Sequence, residues 1–135
     1  MRKIFVCTGN TCRSPLAESY ANTKYQNENF ESRGLMVTSG ATSCESIEII
    51  KRESLLHPSA PEQLTEADTA DSLILTMTAP HKQRIKAQYP SANVMLVSEF
   101  ADGSKVSVPD PAGGSKAQYE DVFNQLKHYI DQFDS

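Results

Sequence analysis

The chain has 135 residues, of which 39% are hydrophobic and 22% charged, and this favours one soluble domain over residues 1–135 with a real core. Its formal net charge of −4 argues against nucleic acid as the main partner, because no basic face would neutralise the phosphates. No apolar stretch is long enough to span a membrane, and the short apolar run at the N-terminus predicts no signal peptide.

Apolar runs alternate with helical patterns along the whole chain. In chain order, the predicted segments are a strand at 2–7, a helix at 14–25, a strand at 30–33, a helix at 45–54, a short helix beginning near 65, a strand at 72–77, a helix at 78–88, a strand at 94–97, a loop at 101–115 and a helix at 116–133. Ser14 and Pro15 suit the N-cap and the first position of the first helix. This alternation predicts an α/β sandwich around a parallel sheet.

In a parallel sheet, ligands bind beyond the carboxyl ends of the strands. At such an end, directly after the first predicted strand, lies the loop Cys7-Thr8-Gly9-Asn10-Thr11-Cys12-Arg13-Ser14. A loop of this length before a helix can point its backbone N–H groups inward and form a nest for a tetrahedral oxyanion. The sequence therefore predicts a phosphate-binding loop, whose residues around the ligand would be Thr8, Gly9, Asn10, Thr11, Cys12 and Ser14.

Cys7 and Arg13 stand six positions apart in this loop. The loop amides, the helix N-terminus and Arg13 would stabilise a thiolate, which is the nucleophilic form of cysteine. The planar guanidinium of Arg13 can bind two phosphate oxygens at once. An isolated cysteine is more often a small buried hydrophobe, and an isolated arginine an exposed charge. The spacing nevertheless favours a nucleophile and a phosphate clamp.

Three other residues of the loop have predicted local roles. Gly9 lets the backbone approach a ligand closely, and Asn10 suits a left-handed backbone conformation. Ser14 could donate its hydroxyl to the Cys7 sulfur. Glycine and asparagine are also ordinary turn residues, so these roles depend on the phosphate-loop interpretation.

Asp110 lies far downstream in the segment Val-Pro-Asp-Pro. An Asp-Pro pair in a loop is usually only a turn. Phosphoryl transfer to a thiol, however, requires a proton for the leaving group, and hydrolysis of the resulting thiophosphate requires a base. One carboxyl group on a loop stiffened by two prolines could do both, so Asp110 is a candidate for the general acid and then the general base.

The whole chain resembles the low-molecular-weight protein-tyrosine phosphatase family. The likeness lies in the loop at Cys7–Ser14 followed by Pro-Leu-Ala-Glu, the Leu-Thr-Met strand, the late Asp110-Pro111 pair and the last helix. It implies a four-stranded parallel sheet flanked by helices, a cysteinyl-phosphate intermediate, and no metal or cofactor. It also implies that the loop is braced by hydrogen bonds from Asn10, Ser14, Ser32 and His57, although His57 could equally be an exposed loop histidine.

Two positions bear on the substrate, which the resemblance predicts to be a phosphorylated protein. Thr11 makes the loop similar to that of bacterial protein-arginine phosphatases, whereas tyrosine-specific members usually have a larger aliphatic residue there. Ala112 stands where relatives commonly place an aromatic residue that walls the pocket. We therefore slightly favour phosphoarginine, with phosphotyrosine as the alternative, although Thr11 could also be a neutral turn residue.

The three cysteines, an odd number, fit a reducing cytoplasm better than a set of disulfides. We also expect the protein to be a monomer. Cys12 is close enough to Cys7 to form a disulfide that would protect an oxidised nucleophile, or it is a passive loop residue. An arsenate reductase would need further cysteines, and none follows Cys44. A catalytically silent phosphate-binding adaptor is disfavoured by the presence of Cys7, Arg13 and Asp110 together.

Overall fold

A four-stranded parallel sheet is the centre of the structure, a computed structural model that describes residues 2–133. In chain order, the elements are β1 (Arg2–Cys7), α1 (Arg13–Lys24), β2 (Phe30–Gly34), α2 (Cys44–Arg52), α3 (Glu66–Ala70), β3 (Ser72–Thr76), α4 (Ala79–Gln88), β4 (Asn93–Leu96), α5 (Val97–Asp102) and α6 (Lys116–Ile130). The strand order is β2-β1-β3-β4. Strand β1 therefore has hydrogen-bonded neighbours on both sides, and its carboxyl end lies in the middle of the sheet edge.

Side chains of the inner strands alternate between two hydrophobic cores, as the two-residue repeat of a strand requires. Phe5 and Leu75 contribute to the core that also contains residues of α1, α2 and α6. Ile4 and Ile74 contribute to the other core, together with Ile85 of α4. Helices thus cover both faces of the sheet, and the predicted three-layer α/β sandwich is confirmed.

Helix α6 begins at the predicted residue and ends at Ile130, before the predicted end at 133. The Ser115 hydroxyl accepts a hydrogen bond from the Gln118 N–H, and the Gln118 side-chain oxygen accepts one from the Ser115 N–H, so a capping box begins the helix. Phe133 lies beyond the helix but still packs on Phe100, with ring centroids 4.8 Å apart. No helix within residues 2–133 is long and apolar enough to cross a membrane.

The start of α1 differs from the prediction. The helix begins at Arg13 with Cys12 as its N-cap residue, and no side chain caps it. Ser14 lies inside the helix, with its Oγ atom 2.9 Å from the Cys7 Sγ atom. The prediction of Ser14 as the N-cap is therefore wrong, because hydrogen bonds to distant parts of the loop engage the hydroxyl instead of the local backbone.

The short helix α5 was not predicted, since the apolar run that contains β4 continues through its first residue. The Glu99 carboxylate accepts a hydrogen bond from the Leu96 backbone at 2.9 Å and so caps the first turn. Gly103 ends the helix in the left-handed conformation, with φ of 82°. These signals were present in the sequence, but the continuous apolar run concealed the point where the strand ends.

Candidate active site

The phosphate-loop candidate connects β1, an inner strand of the sheet, with α1. The end of β2 holds this loop through its backbone, because the Leu35 N–H donates to the Cys7 carbonyl at 3.1 Å and the Met36 N–H donates to the Thr8 carbonyl at 2.8 Å. The start of α2 holds the other end, where the Ser43 N–H donates to the Thr11 carbonyl at 2.8 Å. Backbone hydrogen bonds alone thus anchor the loop to two neighbouring elements.

Asn10 braces the interior of the loop. Its side chain is fully buried and its backbone has φ of 56°, so the predicted left-handed conformation is confirmed. The Glu62 backbone N–H donates to Asn10 Oδ1 at 2.9 Å. Because a backbone N–H can only donate, this contact fixes the orientation of the amide, whose Nδ2 then donates to Ser14 Oγ at 2.8 Å.

Ser14 connects Asn10 to Cys7 through two hydrogen bonds. Its hydroxyl oxygen accepts from Asn10, so its own proton is free to point to the Cys7 sulfur, 2.9 Å away. Cys7 and Ser14 are both buried. The predicted hydroxyl donor is therefore in place next to the sulfur.

Arg13 has a side chain that is only 5% exposed. Its Nη1 donates to the Val108 carbonyl at 3.0 Å, and the Val108 N–H donates in turn to the Met77 carbonyl at 2.8 Å. Its buried Nε has no hydrogen-bond partner among residues 2–133. A buried N–H without a partner is costly, and a bound oxyanion would satisfy it.

Asp110 lies at the mouth of the site, and its side chain is 52% exposed. One carboxylate oxygen accepts a hydrogen bond from the Ala112 N–H at 2.9 Å, and the other lies 3.8 Å from Arg13 Nη2. The structure thus brings the three predicted catalytic residues together, with Cys7 and Arg13 buried and Asp110 at the entrance.

These groups line a cavity of about 260 Å³. Its lining consists of Cys7, Thr8, Gly9, Thr11, Cys12, Arg13, Met36, Thr38, Asp110 and Ala112. Met36 and Thr38, from the segment after β2, were not predicted. Met36 is an apolar side chain that is 55% exposed at this position. No local pattern in the sequence indicated that this segment would face the loop.

The outer bracing residues differ from the expectation. Ser32 donates to Glu18, which also accepts from the side chain and backbone of Ser59, so Ser32 does not reach the phosphate loop directly. His57 is exposed and, among residues 2–133, forms no hydrogen bond to the loop. The backbone of Glu62 braces the loop in its place. A backbone contact of this kind has no signature in residue types.

Cys12 and Cys44 differ in their surroundings. Cys12 is buried with its sulfur 3.6 Å from the Tyr119 hydroxyl, whereas Cys44 is exposed. Burial and the contact with Cys12 raise the pKa of Tyr119 to about 12, so this phenol stays neutral. Tyr119, a residue of α6, packs in the core. Within residues 2–133, His, Cys, Asp and Glu form no group of three that could hold a metal ion.

The sequence pattern of one protein family extends over this fold and this site. Residues 2–134 match the family described as "low molecular weight phosphotyrosine protein phosphatase". The chain belongs to this family. The resemblance inferred from the phosphate loop and the Asp-Pro pair is confirmed, and the protein is a protein phosphatase.

Related phosphatases cover nearly the full length of the chain. The low-molecular-weight protein-tyrosine-phosphatase PtpB of Staphylococcus haemolyticus is 42% identical over 132 residues, which is 96% of this chain and 95% of that protein. The YwlE arginine phosphatase of Geobacillus stearothermophilus is 29% identical, with a TM-score of 0.91 over 97% of this chain and 88% of its own. A YwlE arginine phosphatase mutant with a phosphorylated active-site serine is 32% identical, with a TM-score of 0.90 over 98% of this chain and 92% of its own.

We predict that Gly34→Ala impairs the phosphatase, because β2 ends against the phosphate loop. An added Cβ would lie 2.9 Å from the Thr8 carbonyl and 3.0 Å from Asn10 Cβ. Overpacking of this kind costs about 1–3 kcal/mol, and part of the strain would displace the loop. We expect a lower unfolding free energy in urea and a reduced kcat/KM for an aryl phosphate.

Gly40→Ala is the matched control, because nothing lies within 4 Å of a Cβ added there. This variant should keep the activity of the wild type. Equal behaviour of the two alanine variants would show that Gly34 does not hold the loop in place.

Proposed function

We propose that this phosphatase hydrolyses phosphorylated side chains of proteins in two steps, through a phosphocysteine at Cys7. The observation that supports this most strongly is the directed hydrogen-bond chain from Asn10 through Ser14 to the Cys7 sulfur, beside the unpartnered Nε of Arg13. Cys7, which ends this hydrogen-bond chain, and Arg13 both line the same cavity. This combination suits attack on a bound phosphoryl group.

In the first step, the Cys7 thiolate attacks phosphorus, so that an S–P bond forms while the bond to the leaving group breaks. Asp110 donates its proton to the leaving atom, which is oxygen for phosphotyrosine and nitrogen for phosphoarginine. Arg13 and the loop amides bind the equatorial oxygens, where charge is spread in the transition state. The exposed position of Asp110 suits this role, because the leaving group faces the entrance.

In the second step, water attacks the phosphocysteine, the S–P bond breaks and inorganic phosphate is released. The Asp110 carboxylate accepts the proton of the attacking water, and the Ser14 hydroxyl stabilises the departing thiolate. The phosphorylated active-site serine in the related YwlE mutant supports a covalent phosphoenzyme in this fold. Protons and charge balance over the two steps, and Asp110 returns to its protonated form.

For the substrate, we propose phosphoarginine as slightly favoured over phosphotyrosine. Thr11 lines the cavity with a short, polar side chain, and this leaves room next to the nucleophile for a polar guanidinium. Structural relatives named arginine phosphatases support the same choice. The alternative, phosphotyrosine, has support from the relative in Staphylococcus haemolyticus, which is named a protein-tyrosine-phosphatase.

The first test of this mechanism is Cys7→Ser. We expect it to lower kcat for 4-nitrophenyl phosphate by about 10³-fold or more, since the reaction loses its nucleophile. Cys44→Ser is the control, because Cys44 is exposed and lies outside the cavity. Full activity of the Cys7 variant would exclude the phosphocysteine.

The role of Asp110 is tested by changing the leaving group. Asp110→Asn should lower kcat for phenyl phosphate by about 10²–10⁴-fold, because phenol leaves poorly without a proton. The loss should be smaller for 4-nitrophenyl phosphate, whose leaving group needs little protonation. The exposed Asp121, replaced in Asp121→Asn, serves as the control. Equal losses for the two substrates would argue against general acid catalysis by Asp110.

The substrate preference is tested at Thr11. We expect Thr11→Ile to shift the ratio of kcat/KM toward phosphotyrosine over phosphoarginine peptides by about tenfold, which corresponds to about 1.4 kcal/mol of differential transition-state binding. Thr42→Ile, outside this cavity, should leave the ratio unchanged. An unchanged ratio in the Thr11 variant would remove this residue as the basis of the preference.

A further inference from the structure

His81 lies in the first turn of α4, directly behind the phosphate loop. The Thr78 hydroxyl caps this helix and accepts a hydrogen bond from the His81 backbone at 3.3 Å. The imidazole Nε2 lies 2.9 Å from the hydroxyl oxygen of Thr8, the residue that follows the nucleophile. The other ring nitrogen, Nδ1, is buried and has no partner among residues 2–133. The hydrogen bond to Thr8 is therefore the only one that the ring makes within this part of the chain.

The stretch 77–81, which leads from the end of β3 into the first turn of α4, also anchors Arg13. The Met77 carbonyl accepts a hydrogen bond from the Val108 N–H, and the Val108 carbonyl accepts one from Arg13. Arg13 and Thr8 are therefore attached to the same short segment, one through Met77 and the other through His81. Thr8 is held twice, since its backbone carbonyl accepts from Met36 and its hydroxyl bonds to His81.

We infer that His81 is a positioning residue of the phosphatase, which fixes Thr8 and thereby the backbone of the phosphate loop around the bound phosphoryl group. This inference rests on the proposed function, in which the amides of that loop bind the phosphate oxygens. A loop that binds an oxyanion through its amides gains affinity when those amides are held in place before binding. The hydroxyl of Thr8 is exposed, and without His81 it would exchange its partner for water.

The charge state of the ring fits this role. Burial and the nearby Arg13 lower the pKa of His81 to about 4, with a smaller contribution from Arg84 in the same direction and an opposing one from Asp110. The ring is consequently neutral near pH 7, and it holds Thr8 without placing a second positive charge next to Arg13. The phosphoryl group therefore interacts with one cationic side chain at this end of the cavity, which is Arg13.

A double-mutant cycle tests the inference. Thr8→Val removes the hydroxyl with little change in shape, and His81→Leu removes the ring nitrogens. We expect each variant to lower kcat/KM for 4-nitrophenyl phosphate by about tenfold and to weaken the binding of inorganic phosphate, as expected from the loss of one hydrogen bond. The double variant should be no worse than either single variant, because both changes remove the same interaction.

His81→Gln should restore most of the activity, since its amide can reach Thr8 as the imidazole Nε2 does. The exposed His128, replaced in His128→Leu, is the control and should behave as the wild type. Melting temperatures show whether each variant folds, and if His81→Leu does not, the Thr8→Val and His81→Gln variants still give the result. Losses that add in the double variant, or full activity in Thr8→Val, would overturn the role of His81 alone. Absence of any turnover that depends on Cys7 in the wild type would overturn the proposed function, and this inference with it.

A second measurement distinguishes a neutral positioning ring from a cationic one. The folded protein holds His81 with a pKa of about 4, against 6.5 for an ordinary histidine, so the unfolded chain binds more protons between these values. Stability contributed by the neutral ring is thus lost as the pH falls from about 6.5 to 4. The melting temperature of the wild type should fall more over this interval than that of His81→Gln. Equal decreases would show that the ring is not held neutral.

Discussion

The active site depends on a buried chain of hydrogen bonds in which each bond determines which atom donates in the next. The Glu62 backbone fixes the amide of Asn10, this amide fixes the hydroxyl of Ser14, and the hydroxyl points to the sulfur of Cys7. In a buried site, a polar group without a partner is costly, so the chain resists any rearrangement that breaks one link. The Cys7 sulfur, which is the proposed nucleophile, is therefore oriented by a backbone N–H from a segment more than fifty residues away.

The parallel sheet explains why such distant groups meet. Since β1 is an inner strand, the segments after β2 and β3 flank its carboxyl end, and each holds part of the phosphate loop. Cys7 and Arg13 are buried at this position, whereas Asp110 is attached mainly through a short turn to Ala112. In the proposed mechanism, this arrangement separates the groups that bind the phosphoryl moiety, which is constant, from the acid that faces a variable leaving group.

The sequence was sufficient to predict what local patterns determine. The alternation of strands and helices predicted the sheet, and the loop spacing singled out Cys7 and Arg13, which the structure places at one cavity. Ser14 was misassigned as a helix cap, because its neighbour Pro15 is a strong local signal and the competing partners Asn10 and Cys7 become visible only in the folded loop. Met36 and His81 could not be found in this way. Their roles come from packing between segments, and nothing in the residues on either side of them specifies it.

In the proposed mechanism, the catalytic groups act on the phosphoryl moiety, which is the same in phosphotyrosine and phosphoarginine, so they would not select between the two. Selection must come from side chains that contact the rest of the substrate. Among the residues that line the cavity, the candidates for this contact are the polar Thr11, the exposed Met36 and the small Ala112. A flexible thioether adapts to a flat ring or to an extended side chain alike. Our substrate proposal therefore assigns the discrimination mainly to Thr11, because it belongs to the loop that begins at Cys7 and its size would limit which leaving group can approach the sulfur.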